Sequence, residues 1–150
     1  MDISQLLQEQ VADAIEERRP LMVIGGGSKN FYGNETNASE VLSTARHIGV
    51  VAYEPSELFI TARSGTPLDS IETLLATQGQ MLAFEPPRFS PVSTIGGVVA
   101  TGLAGPSRPW LGSVRDHMLG TTMITGFGKI ATFGGQVMKN VAGYDVSRLM

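Results

Sequence analysis

The 150-residue chain carries 14 acidic and 11 basic side chains, a formal net charge of −3, 42% apolar residues, 18 glycines, 8 prolines and no cysteine. A chain of this length fits one domain and buries about 68–70% of the surface its unfolded form exposes. The missing cysteines exclude disulfides, thiolate metal ligands, cysteine nucleophiles and cysteine-ligated iron–sulfur clusters, the apolar content excludes a disordered chain, and no apolar run approaches the ~18 residues of a membrane span.

In chain order, Ile3, Leu6, Leu7, Val11, Ala14 and Ile15 share one face at helical spacing, predicting an amphipathic helix over 3–18 with Arg18-Arg19 in its last turn and Pro20 just beyond. Leu21-Met22-Val23-Ile24 reads as a buried strand ending at Gly25-Gly26-Gly27. Two further strands are expected at Val50–Tyr53 and Leu58–Ala62, separated by a turn at Glu54-Pro55-Ser56. Thr66-Pro67-Leu68-Asp69 opens a helix in which Thr66 caps and Asp69 completes a variant capping box, with Ile71, Leu74 and Leu75 as the apolar stripe and Gly79 as its left-handed end. Met81–Phe84 is a further strand candidate before Pro86-Pro87.

Beyond Pro91, Ser93 to Gly102 combines small residues with short apolar stretches and predicts a helix whose glycines admit a ligand or another backbone. Residues 117–125 and 130–133 are β-prone arms around a hairpin tip at Gly126-Phe127-Gly128-Lys129. A last strand-to-helix passage has Asp145 as the cap and Val146, Leu149 and Met150 as the apolar face. Charge divides unevenly: residues 1–85 hold five basic and twelve acidic side chains (net −7), while 86–150 hold six basic and two acidic (net +4) and 11 of the 18 glycines. A Gly-rich, mildly basic half suits close backbone approach to a phosphorylated ligand, and equally suits a loop-rich half poor in acids.

Gly25-Gly26-Gly27-Ser28-Lys29-Asn30 follows a strand, so its amides can cradle phosphate oxygens. It is not a P-loop, because the order is Gly-Ser-Lys, and not a Rossmann loop, because position 30 is Asn and position 45 is Ala. Gly128-Lys129 fails the P-loop pattern at Met123. His47 and His117 stand apart without acidic or histidine neighbours at metal-ligand spacing, so solvated or helix-terminal roles are expected and no metal site. Asn34 and Asn37 open glycosylation sequons that are chance matches in a chain whose first residues lack a basic signal head. No Ser/His/Asp set or carboxylate pair marks a catalytic residue, and the scattered basic residues with a single tryptophan give no nucleic-acid face. Lys139-Asn140-Val141-Ala142-Gly143-Tyr144-Asp145 places donors, a ring and a carboxylate within a few residues.

These segments, with Tyr53-Glu54-Pro55-Ser56-Glu57-Leu58, Thr94-Ile95-Gly96-Gly97 and Gly112-Ser113-Val114-Arg115-Asp116 followed by Leu119-Gly120, resemble the PCMH-type FAD-binding domain of the vanillyl-alcohol oxidase superfamily. Within it they look most like the E-type FAD-binding subunits of bacterial glycolate oxidases. The resemblance implies an α+β fold: a small N-terminal α/β subdomain, a boundary near 85–92, then the start of a second, mainly antiparallel α+β subdomain. It implies that Gly25, Gly26, Gly27, Ser28, Lys29, Asn30 and Thr94, Ile95, Gly96, Gly97 meet the pyrophosphate and neighbouring ribose of FAD. It further implies that Gly102, Gly105 and the region to Arg108 line the flavin side, and that Lys139, Asn140, Val141, Gly143 and Tyr144 approach the isoalloxazine. Arg115-Asp116 is expected to fix a turn by an ion pair or hydrogen bonds. Some relatives attach FAD through a histidine in the first glycine loop; Ser28-Lys29 here implies non-covalent FAD.

The implied activity is oxidation of a 2-hydroxy acid (glycolate or D-lactate) to a 2-oxo acid, within a complex that includes a sister FAD subunit and an iron–sulfur subunit. It is expected in the cytoplasm, reaching the inner face of the membrane through those partners. The alternatives are another oxidase of the superfamily, or a non-catalytic scaffold with an empty flavin site. Family members continue past Leu149-Met150 into the rest of the FAD domain and a substrate domain, so the chain is expected to be the N-terminal part of such a subunit, inactive by itself.

Overall fold

A computed structural model describes residues 1–135. Helix α1 (Ser4–Glu16) buries Leu7 and Ala14, while Leu6 and Ile15 stay exposed, so its apolar stripe is narrower than the spacing predicts. The helix closes before Arg18-Arg19: Arg18 adopts a left-handed φ of 53°, and the Arg19 amide reaches back to the Ala14 carbonyl. Strand β1 (Leu21–Ile24) pairs in parallel with β2 (Glu40–Ser43), Leu21 opposite Glu40 through Ile24 opposite Ser43. The expected burial of β1 fails at Val23, which is 66% exposed. α1 packs against β2, and an Arg19–Glu40 ion pair ties its C-terminal end to that strand.

Strands β3 (Val50–Glu54) and β4 (Phe59–Ala62) form an antiparallel pair joined by a 3-10 turn at Pro55–Glu57. Leu58 is not the first residue of β4: it takes the left-handed conformation that ends the turn, at φ 57°. Helix α2 (Leu68–Ala76) starts at Pro67 without a side-chain cap. Thr66 does not cap it, because its hydroxyl donates to the Arg63 carbonyl at 2.7 Å and accepts the Gly49 amide at 3.0 Å. Asp69 builds no capping box either, since Arg88 engages it together with Glu72. Gly79 ends the helix region at φ 65° as expected.

Met81–Phe84 is not a strand. Phe84 turns into the core instead, and Pro86-Pro87 has no amide with which to continue a ladder. Helix α3 (Ile95–Thr101) and the short α4 (Arg108–Leu111) follow, then a 3-10 turn at Val114–His117 and the hairpin β5 (Gly120–Ile124)/β6 (Ile130–Gly134). The hairpin tip meets α1, where Gln8 Nε2 donates to the Gly128 carbonyl at 2.8 Å. Leu68, Phe84, Val98 and Val114 form one core cluster, with Leu82, Ile95, Val99 and Met118 packed around it. The cluster draws on both sides of residues 85–92. No helix among the described residues is long and apolar enough to cross a membrane.

Candidate functional site

The loop 25–30 leaves β1 and lies across the segment 92–97 that begins α3. A Cβ on Gly25 would come within 2.7 Å of Thr94 Oγ1, and one on Gly26 would collide with the Val92 carbonyl. Gly96 is pressed against Ser64 in the same way, at 2.7 Å from its carbonyl oxygen. At these three positions the missing side chain admits protein atoms. Gly27 instead supplies backbone shape, at φ 68°. Ser28 fastens the two segments together, its Oγ 3.0 Å from Ser93 Oγ.

The donors differ between the two segments. Within the described residues, the amides of Gly26, Gly27, Ser28 and Lys29 donate to no backbone carbonyl. In the second segment Ile95 donates to the Thr66 carbonyl at 3.0 Å, Gly96 to the Ser64 carbonyl at 2.8 Å, and Gly97 to Thr94 Oγ1 at 3.3 Å as the cap of α3. Loop 25–30 therefore presents backbone donors, and segment 94–97 is the wall behind it.

Lys29 sits between the two. Its side chain is only 8% exposed, and its Nζ lies 4.0 Å from where a Cβ on Gly97 would stand. The ammonium has no hydrogen-bond partner among the described residues. Burial without a counter-charge pushes its pKa below the ordinary lysine value. An unpaired buried ammonium is costly, and an arriving anion reverses that cost. Among the described residues, four amides without a backbone acceptor, a left-handed glycine and a cation without a partner give a donor set suited to phosphate oxygens. The diphosphate of FAD fits this chemistry.

The remaining expected residues scatter. Asn30 is exposed, its amide 3.4 Å from the Gly27 carbonyl. Gly102 ends α3 at φ 58° with open space around it. Gly105 donates to the Glu85 carbonyl at 2.7 Å, and Arg108 is exposed at the start of α4. Asp116 fixes its turn by hydrogen bonds: Oδ2 accepts the Ser113 amide at 2.7 Å and its hydroxyl at 2.9 Å, which hold its carboxyl below the usual range. Of the two roles expected for His47 the structure shows the helix-terminal one: its Nδ1 accepts the amide of Ile3, the N-cap residue of α1, at 3.3 Å and lies 3.7 Å from Asp2. His117 closes its 3-10 turn, with Nε2 2.8 Å from the Leu111 carbonyl. Trp110 is 82% exposed on α4. Lys139, Asn140, Val141, Gly143, Tyr144 and the helix expected from Asp145 lie outside the described residues. No cluster of metal ligands occurs among the described residues. Ser93, 2% exposed, was not singled out from sequence, although it opens the Ser93-Thr94 pair that turns into α3.

Comparison with known proteins gives this geometry a setting. The family described as FAD binding domain matches residues 4–147. The chain is 56% identical over 149 residues to the glycolate oxidase subunit GlcE of Escherichia coli, covering 99% of this chain and 42% of that protein. It is 27% identical over 135 residues to the glycolate oxidase subunit GlcD of Bacillus subtilis, covering 89% of this chain and 28% of that protein. The chain thus spans less than half the length of these relatives. In three dimensions it is similar to an alkyldihydroxyacetonephosphate synthase, with a TM-score of 0.73 at 21% identity, over 97% of this chain and 26% of that one. That likeness supports the α+β, PCMH-type fold.

Proposed function

This chain belongs to the FAD binding domain family, and from that premise we propose that it is the cofactor-holding part of the FAD subunit of a glycolate oxidase-type complex. The observation that carries the reading is the buried Lys29 ammonium, without a partner among the described residues, in the glycine loop whose Gly26 to Lys29 amides meet no backbone acceptor there, in a chain 56% identical to a glycolate oxidase subunit. FAD, when bound, supplies the two-electron acceptor that takes a hydride equivalent from a 2-hydroxy acid, leaving a 2-oxo acid. The chain's own residues bind and orient. Gly26 to Lys29 and the Lys29 ammonium hold the diphosphate, and Thr94 to Gly97 form the wall that fixes the loop. Lys139, Asn140, Val141, Gly143 and Tyr144 are proposed for the flavin ring.

With Ser28 and Lys29 in the loop, the cofactor is held without a covalent bond. Electrons leave through partners, a sister FAD subunit and an iron–sulfur protein; these 150 residues themselves carry no cysteine to ligate a cluster. Those partners place it at the inner face of the membrane. The test is the visible spectrum of the purified full-length protein. Flavin bands that co-elute with it and are released by acid are expected, and glycolate or D-lactate should bleach them anaerobically in the assembled complex. A folded, colourless protein would sink the cofactor reading and favour the non-catalytic scaffold.

A further inference from the structure

Away from the joint between loop 25–30 and segment 92–97, residues 105–112 form a rigid frame around an exposed side chain. Glu85 clasps the start of the frame: the Gly105 amide donates to the Glu85 carbonyl at 2.7 Å and the Ser107 amide to Glu85 Oε2 at 3.0 Å. The Trp110 and Leu111 amides both return to the Ser107 carbonyl, and the Gly112 amide to the Arg108 carbonyl. At the far end His117 Nε2 lies 2.8 Å from the Leu111 carbonyl, and the same ring leans on Phe84 of the core, centroids 5.7 Å apart. Pro106 and Pro109 restrict the backbone further. The indole held by this frame is 82% exposed, and Leu111 beside it is 42% exposed.

A rigid frame around a wet indole suits a binding anchor, which offers a large apolar area and has little conformational entropy left to lose on docking. Charge selects the partner. Arg108 on α4 and Arg115 on the turn that follows are exposed, and neither forms an ion pair among the described residues. The neighbouring carboxylate, Asp116, is engaged by the Ser113 amide and hydroxyl. An aromatic anchor flanked by two unpaired guanidiniums fits an apolar pocket with an acidic rim. We propose that α4 is the docking surface for the sister FAD subunit, with Trp110 seated in such a pocket and Arg108 and Arg115 facing carboxylates at its edge. The proposal rests on the reading of this chain as one subunit of a glycolate oxidase-type complex, and adds the face by which it meets that partner.

The experiment uses the purified full-length subunit and the purified sister FAD subunit, with association and dissociation followed over a range of salt. Trp110→Ala should weaken binding about tenfold or more, as the loss of a buried aromatic anchor does. Arg115→Glu should slow association and flatten its salt dependence. Hydroxyl-radical footprinting of the parent, read by mass spectrometry, should find Trp110 oxidised in the isolated subunit and protected in the complex. Protection in the isolated monomer means that the subunit's own chain covers α4, protection by self-association means that a second copy does, and protection by the iron–sulfur protein alone names that partner instead; each overturns the proposal. A Trp110→Ala variant that binds the sister subunit as the parent does overturns it too, and leaves the complex standing. A parent that binds neither partner removes the complex and this proposal with it. A colourless subunit that still docks through Trp110 removes only the cofactor reading.

Discussion

His47 shows what one enclosed side chain adds to the pH response. Burial pushes its pKa below the ordinary value of about 6.5, the Asp2 carboxylate 3.7 Å away pulls it back up, and Arg63 and the N-terminal ammonium push it down again. Its Nδ1 must stay unprotonated to accept the Ile3 amide. Between the lowered native value and about 6.5 the unfolded chain binds more protons than the native one, so stability falls as pH drops through that interval and levels off below it. Substituting His47→Gln should flatten this part of a pH–midpoint curve while leaving the curve above pH 7 parallel to the parent; an unchanged slope would sink the assignment. The same scale explains what could and could not be read from sequence. A glycine announces that something comes close, without saying what. The sequence points to a ligand at Gly25 and Gly26 and to a ligand or another backbone at Gly96; Thr94, the Val92 carbonyl and the Ser64 backbone stand in those spaces. A lysine beside them was legible as an anion partner, whereas its isolation inside the joint depends on segment 92–97, more than 60 positions away in the chain.

Helix α3 has seven residues and two glycines in its first turn, so intrinsic propensity does not hold it. It stands on three supports: the Thr94 cap, the Ile95 and Gly96 amides anchored to residues 66 and 64, and Val98 in the core. Thr94→Ala should therefore cost about 1 kcal/mol of stability, as N-cap losses do, and Thr94→Ser should recover most of it. Thermal unfolding of the two variants measures this, and equal losses would show that the methyl group, not the cap, matters. Elements were legible where their pattern was self-contained: α1, the β3/β4 pair and the β5/β6 hairpin each carry their periodicity or turn within a few residues. β2 was missed because Glu40–Ser43 has only Val41 and Leu42 as apolar residues, and its pairing with β1 is decided across the intervening crossover. Met81–Phe84 misled for the opposite reason. Leu82 and Phe84 pack in the core while Met81 and Ala83 stay exposed, and no neighbouring strand among the described residues completes a ladder.

For the whole molecule, the core cluster bears on how the chain comes apart. The family resemblance implies a boundary near 85–92, while Leu68 and Phe84 pack with Val98 and Val114 across it. Arg88 adds a bridge from that segment back to Asp69 and Glu72 on α2. Truncating Leu68, which is 1% exposed, to alanine should cost about 2–5 kcal/mol and weaken both sides of the segment together. Hydrogen exchange reads this directly: protection of α2 and α3 should fall in step, and loss confined to α2 would mean two independent units.

The exposure of Trp110 decides how such losses are to be seen. The chain has one tryptophan, and α4 holds it at the surface with 82% of its area in water. An indole that is already wet in the native state emits at long wavelength before and after unfolding. Its fluorescence is accordingly blind to the core cluster and to the Lys29 joint alike. What it does report is α4 itself: a blue shift there signals a surface laid over that helix, so the one natural fluorophore serves as a gauge of assembly rather than of folding.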